Sequence, residues 1–246
     1  MEIRGPRDEA CSLHVQAGPF REDLRHLETC RWVLSTPSRH DWLVSPGRRG
    51  SESMTAMRNT GPARGQTPEA PDTVDLGMHE LREVAGFAAA CARSALVLFE
   101  CGRPDDARPR AAIEAAQAFA EGAARSKALR DAAWAAQRAA HAASAAGQDP
   151  ASEAARAALA AAGAAFLHPL AKATQVKHIL GSAAHAARAF ELDDEGDPGV
   201  GAKHLARLRH LASAAVIGVL VRYPAAPSGG GRVGELLREF DAALRR

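Results

Sequence analysis

From Leu76 to the C-terminus, apolar residues recur every three or four positions, with polar residues on the opposite side. That is the period of an α-helix with one buried face. Leu81, Val84, Ala88, Cys91, Ala95 and Leu98 set the first stripe and predict a helix over 78–101, stopped by Gly102-Arg103-Pro104. Asp105 and Asp106 are placed to cap a second helix, with Pro109 in its first turn and Gly122 at its end. Ile113, Ala116 and Phe119/Ala120 form its inner side. A third helix is expected over 126–146, with Leu129, Trp134 and Ala133/Ala136/Ala140 inward and Gly147 closing it. Asp149-Pro150 opens a fourth over 151–168, and Pro169 begins or kinks a fifth that runs to Leu192. After an acidic turn at 193–199, a sixth is expected over 200–223. A last one, over 232–246, turns Val233, Leu236, Leu237, Phe240 and Leu244 inward.

Composition strengthens this reading. Ala accounts for 57 of the 246 residues, and 52 of those follow Asp75. Ala has the best helix propensity, whereas the aromatic and β-branched residues that favour strands are scarce. The expectation is an all-α, compact, Ala-rich bundle of about seven helices over 78–246. Residues 1–77 differ: they mix Pro, Gly, Ser, Arg and acids without a sustained period. They read as a disordered or low-structure leader, or as an upstream extension if translation starts near Val74 or Met78.

Charge excludes little but shapes the field of partners. The net charge is +2, from 31 basic and 29 acidic residues, without the dense basic stripe of a nucleic-acid binder. Lys203-His204, Arg207 and Arg209-His210 form a basic side on one helix, read first as a solvated face and second as weak nucleic-acid contact. Four cysteines (Cys11, Cys30, Cys91, Cys101) in no metal-ligand spacing fit reduced thiols. With no secretory h-region, and an apolar run at 211–221 too short to span a bilayer, a soluble cytoplasmic protein is expected.

Three groups of residues carry candidate chemistry. Arg103-Pro104-Asp105-Asp106-Ala107-Arg108-Pro109-Arg110, followed by Glu114, packs five charges and two prolines into eight residues. It reads as helix capping with local Asp–Arg pairs, or as a rigid face offering charge to a partner. Thr174, His178, Ser182 and His185 share one helical face, with His168 and Lys172 one and two turns before. These side chains read as hydrogen-bonded inside the bundle, with a polar partner surface as the alternative. Two turns between His178 and His185, about 10 Å, is too far for one metal ion. Trp134, Arg138 and His141 line one face of the third helix, and Trp134 is expected to fill the core. No phosphate loop, dinucleotide fingerprint, nucleophile elbow or zinc-protease motif is present, so no catalytic residue and no cofactor is assigned.

Phe87 to Gly122 (FAAACARSALVLFECGRPDDARPRAAIEAAQAFAEG) resembles the opening of the actinobacterial putative immunity proteins of the Imm-five-like group. So do 128–143 (ALRDAAWAAQRAAHAA), 168–192 (HPLAKATQVKHILGSAAHAARAFEL) and 222–227 (RYPAAP). The resemblance implies an all-helical cytoplasmic domain giving immunity against a polymorphic toxin. It implies a cognate toxin domain as partner, without nucleic acid or membrane. The partner-binding residues are then expected among Arg103, Asp105, Asp106, Arg108, Arg110, Glu114, His168, Lys172 and His178. The competing reading is an enzyme or metal-binding bundle that gathers His141, His168 and His178, or a regulatory helical module.

Overall fold

The computed structural model describes residues 73–246. The expectations for the leader, with Cys11, Cys30, Trp32 and Trp42, fall on 1–72 and lie outside the described residues. Eight α-helices follow: α1 (Met78–Gly102), α2 (Arg108–Ala120), α3 (Lys127–Ala145), α4 (Asp149–Ala164), α5 (Val176–Asp193), α6 (Pro198–Arg209), α7 (Ala214–Arg222) and α8 (Gly231–Leu244). A 3-10 turn at Ala173–Gln175 leads into α5. Among the described residues the only β-type pairing is an isolated bridge, Thr73 to Leu170, in which Val74 N donates to the Pro169 carbonyl at 3.0 Å.

The architecture follows from α4, DPASEAARAALAAAGA, which contains no aromatic residue and a single Leu. Such a helix has no wide polar face, and it is enclosed: α1, α2, α3 and α5 all pack against it. Seven alanines between Ala151 and Ala162, together with Ser152 and Ala164, are buried. Small side chains on facing surfaces let helix axes approach toward the short end of the usual range of about 8–10 Å. At the crossing of α4 and α5, a Cβ built on Gly181 would meet Ala160 Cβ at 3.7 Å. Larger residues on the surrounding helices fill the remaining space: Phe99, Ile113, Phe119, Ile179 and Leu180 are all under 2% exposed. Phe87 of α1 stacks on Phe240 of α8, centroids 6.4 Å apart, and so joins the first helix to the last.

Among the described helices, α1 is long and apolar enough to cross a membrane, with mean hydropathy 1.6. That apolarity is spent inside the bundle, where Leu81, Val84, Phe87, Cys91, Ala95 and Phe99 face α2, α4 and α5.

Four expectations need correction. The N-cap of α2 is Ala107, without a side-chain cap, so Asp105 does not cap the helix, and Asp106 instead accepts from the Arg108 N–H and its guanidinium. The expected sixth helix is two, α6 and α7, bent by 111° at 210–213. The break has no Pro or Gly to announce it. Ser213 makes it, accepting from Val216 N at 3.3 Å as the cap of α7 while its hydroxyl donates to Glu83 at 2.9 Å. The fourth helix ends at Ala164, not His168, and Pro169 neither begins nor kinks a helix but lies in the connection before α5. Trp134 is not core: it is 54% exposed, the most exposed large hydrophobic residue described.

The close packing of α4 can be tested. Ala158 has no exposed surface, so Ala158→Leu is expected to destabilise the chain by about 1–3 kcal/mol through overpacking. In thermal unfolding that is a Tm lower by several degrees, at about 2–4 °C per kcal/mol for a chain of this size. Ala118→Leu, at an exposed position of α2, should leave Tm nearly unchanged.

Candidate functional site

The turn from α1 to α2 is held by ion pairs and hydrogen bonds that its own sequence supplies. Asp106 accepts from the Arg108 backbone N–H at 3.2 Å and from its guanidinium at 2.7 and 2.5 Å. The Arg108 guanidinium is the main reason the Asp106 carboxyl stays below its ordinary range, against the opposing effect of burial. Arg110 grips Glu100 with two parallel bonds, 2.8 Å from Nε and 2.7 Å from Nη2. Arg103 reaches across the bundle to Gln148 Oε1 at 2.8 Å and the Ala142 carbonyl at 3.3 Å, and Gln148 Nε2 donates back to the Gly102 carbonyl at 3.2 Å. The corner is thereby tied to the end of α3 and the start of α4. Asp105 and Glu114 are exposed and form no ion pair among the described residues. A depression of about 350 Å³ is lined by residues 102–106, Asp105 among them. A second, of about 250 Å³, opens between α1, α2 and the α6–α7 bend beside Arg82, Phe87 and Leu211.

The remaining expected contact residues lie elsewhere. His168 and Lys172 are exposed in the connection after α4, and His178 is half-buried at the start of α5. The corner sits at the N-terminal end of α4 and this group beyond its C-terminal end, with 16 helical residues between them. At 1.5 Å per residue that is about 24 Å, so the two sets do not form one compact site. The same distance separates His141, near the corner, from His168 and His178. The three histidines of the metal reading are therefore not gathered, and among the described residues no group of His, Cys, Asp or Glu could hold a metal ion.

The polar face of α5 turns inward. Ser182 donates to the Ala88 carbonyl at 2.7 Å, His178 Nδ1 lies 3.1 Å from the Gly163 carbonyl, and His185 Nδ1 lies 2.6 Å from Glu153 Oε2. Burial works to raise the Glu153 pKa, but His185, Arg156 and Arg188 together hold it below the ordinary value. On α6, His204 also points inward, away from the exposed Lys203 and Arg209; it meets Ser94 Oγ at 3.0 Å and the Phe190 ring at 4.3 Å.

Sequence reasoning missed one ionic cluster. Glu191, 0% exposed, is held by Arg232 of α8 at 2.7 Å and by Arg188 at 2.9 Å. Its position follows Leu180, Ala184 and Ala187 at spacings of four, three and four, so the register of α5 already places an acid on the buried side. Gly201 of α6 makes room for it: a Cβ there would fall 2.3 Å from Glu191 Oε1. A second missed group, buried Asp241, accepts from the Ala226 N–H at 2.9 Å and from Arg245 Nε at 2.7 Å, pinning the 223–230 loop to α8.

Most buried polar groups are thus hydrogen-bonded, Arg82 Nε and Arg156 Nε being the exceptions among the described residues, while Asp105 and Glu114 on the outer corner have no ionic partner there. Residues 75–214, covering α1 to α6, match the model of the family described as Imm-5 like putative immunity protein, and the chain belongs to that family. The matched region contains the whole corner and the inward face of α5, while the likeness at 222–227 lies beyond it. No curated protein and no solved structure matches the chain.

Two measurements test this electrostatic interior. Gly201→Ala, forced against a carboxylate that two arginines hold in place, is expected to cost about 1–3 kcal/mol. Arg232→Ala, which removes half of the buried clamp, should cost about 3 kcal/mol or more, read by denaturant unfolding. Burial, with Arg207 adding to it, pushes the His204 pKa down to about 4 from the ordinary 6.5. The folded chain therefore excludes a proton that the unfolded chain binds. This contribution is fully present above pH 6.5 and is lost as the pH falls toward 4, up to about 3 kcal/mol. His178, lowered by burial as well, acts in the same direction. The fall in Tm over that window should be shallower in His204→Leu.

Proposed function

We propose that this protein confers immunity by binding a toxin domain and blocking it, in the cytoplasm of the cell that makes it, without chemistry of its own. The observation that carries this reading is the family match, because it spans the charged corner and the helices that hold it. Inhibition by binding needs a surface whose groups are already in place, since ordering side chains on association costs about 0.5–1.5 kcal/mol for each flexible one. The corner meets that need. Arg103, Asp106, Arg108 and Arg110 are fixed by internal partners, and they frame Asp105 and Glu114, which remain available to basic groups of a partner. His168, Lys172 and His178, at the far end of α4, would contribute only to a partner large enough to span the length of the bundle.

Co-expression with toxin domains encoded beside its gene tests the proposal. A co-purifying complex and restored growth are expected. Absence of both, with each protein folded, would sink the idea. Asp105→Lys combined with Glu114→Lys should weaken such a complex by about tenfold or more and change stability by no more than about 0.5 kcal/mol, because both residues are exposed.

A further inference from the structure

Among the described residues, the outer face of α3 carries the most exposed large hydrophobic side chain, Trp134. Its buried stripe is Leu129, Ala133, Ala136, Ala140 and Ala143. At about 100° per residue, Lys127, Asp131, Trp134, Arg138 and His141 gather on the opposite side. All five are exposed, as are Arg125 and Arg130 at its edges. Trp134 stands at the centre, 54% exposed, whereas the other exposed large hydrophobics described (Met78, Val97, Leu170, Leu211 and Val221) are all aliphatic.

The charge around this tryptophan is one-sided. Residues 125–141 carry four basic side chains and one acid, a net +3, while the whole chain nets +2. The acid is already engaged, since Asp131 accepts from Lys127 at 2.6 Å. Arg125 and Arg130 lie over the Phe166 ring at 5.9 and 5.2 Å, which holds them in place and leaves their charge uncompensated. Arg138, one turn from Trp134, has no carboxylate partner among the described residues. Tryptophan and arginine are the residues most enriched where binding energy concentrates.

We propose that this face of α3 is the docking surface for an acidic protein partner. Trp134 enters an apolar notch in that partner, and Arg130 and Arg138 meet its carboxylates. The proposal rests on the reading of the protein as a binder, and it adds both the contact face and the charge of the partner. From Lys127 to His141 the face is about 21 Å long and about 10 Å wide, roughly 200 Å², short of the roughly 800 Å² per side of a standard interface. The corner extends it, since Arg103 bonds to the carbonyl of Ala142, the residue after His141, and one partner would then set carboxylates against α3 and basic groups against Asp105 and Glu114.

The test uses the full chain with Trp32→Phe and Trp42→Phe, so that Trp134 alone reports by fluorescence. The probes are a Glu- and Asp-rich peptide and single-stranded RNA of matched charge. Expected are a shift in Trp134 emission with the peptide, binding that weakens as salt shortens the Debye length, and weaker binding of RNA. Trp134→Ala, followed by peptide anisotropy, and Arg138→Glu should each lose about tenfold or more of the affinity, with Tm unchanged. Tighter binding of RNA, no response to the peptide, or a change from dimer to monomer in Trp134→Ala would each overturn the proposal. With a toxin domain in hand, the same variants separate the two readings. A wild-type complex untouched by Trp134→Ala and Arg138→Glu overturns the α3 face alone. Peptide binding without any toxin complex overturns the immunity reading alone.

Discussion

The close approach of helices around α4 is the constraint from which the rest of the structure follows. An alanine buries little apolar surface, about one methyl group's worth, so a core of alanines gains less from transfer out of water per residue than one of leucines. It compensates by density, because backbones that come closer bring more atoms into dispersion contact. The larger buried side chains, Phe99, Phe119, Ile179 and Leu180, come from the helices packed around α4.

Such an interior has little tolerance for polar groups, and most of those it contains are answered, with Arg82 Nε and Arg156 Nε left without a hydrogen bond. Ser182 and His178 find carbonyls, His185 finds Glu153, and Glu191 finds two guanidinium groups in a space that only a glycine at 201 leaves open. A buried ion pair adds little net stability compared with apolar residues of the same shape, but breaking one is costly, and this makes it a device for specifying register. Here the cluster sets how α8 docks on α5 and α6. With most interior groups so engaged, charged side chains without an ionic partner among the described residues lie outside, Asp105 and Glu114 by the α1–α2 corner and Arg138 on the outer side of α3.

Much of the fold was legible in the sequence because alanine-rich helices of three- and four-residue period have few alternatives. The inner faces of α1, α2 and α8 agree with their apolar spacing, and the corner contains the Asp–Arg pairs its sequence suggested. Two misreadings had physical causes. The α6–α7 break is made by a serine cap and an interhelical bond to Glu83, neither visible as a breaker within an apolar run. Trp134 was placed inside because of its size, although its angular position sets it beside Arg138 and opposite Ala136. The buried positions of α3 are instead taken by Leu129 and five alanines. The inward turn of His204 and the burial of Glu191 depend on neighbours from distant helices, and only the register of α5 hinted at the second.

The central claim is that this chain works as a stoichiometric binding surface. The most direct measurement is the residual activity of a toxin domain it protects against, titrated with increasing amounts of the purified protein. The account predicts inhibition that grows in proportion to the protein added, is complete at one equivalent, and is reversed when the two are separated. Full inhibition by a small fraction of an equivalent, with the toxin still inactive after the protein is removed, would contradict it and show that the bundle acts by catalysis.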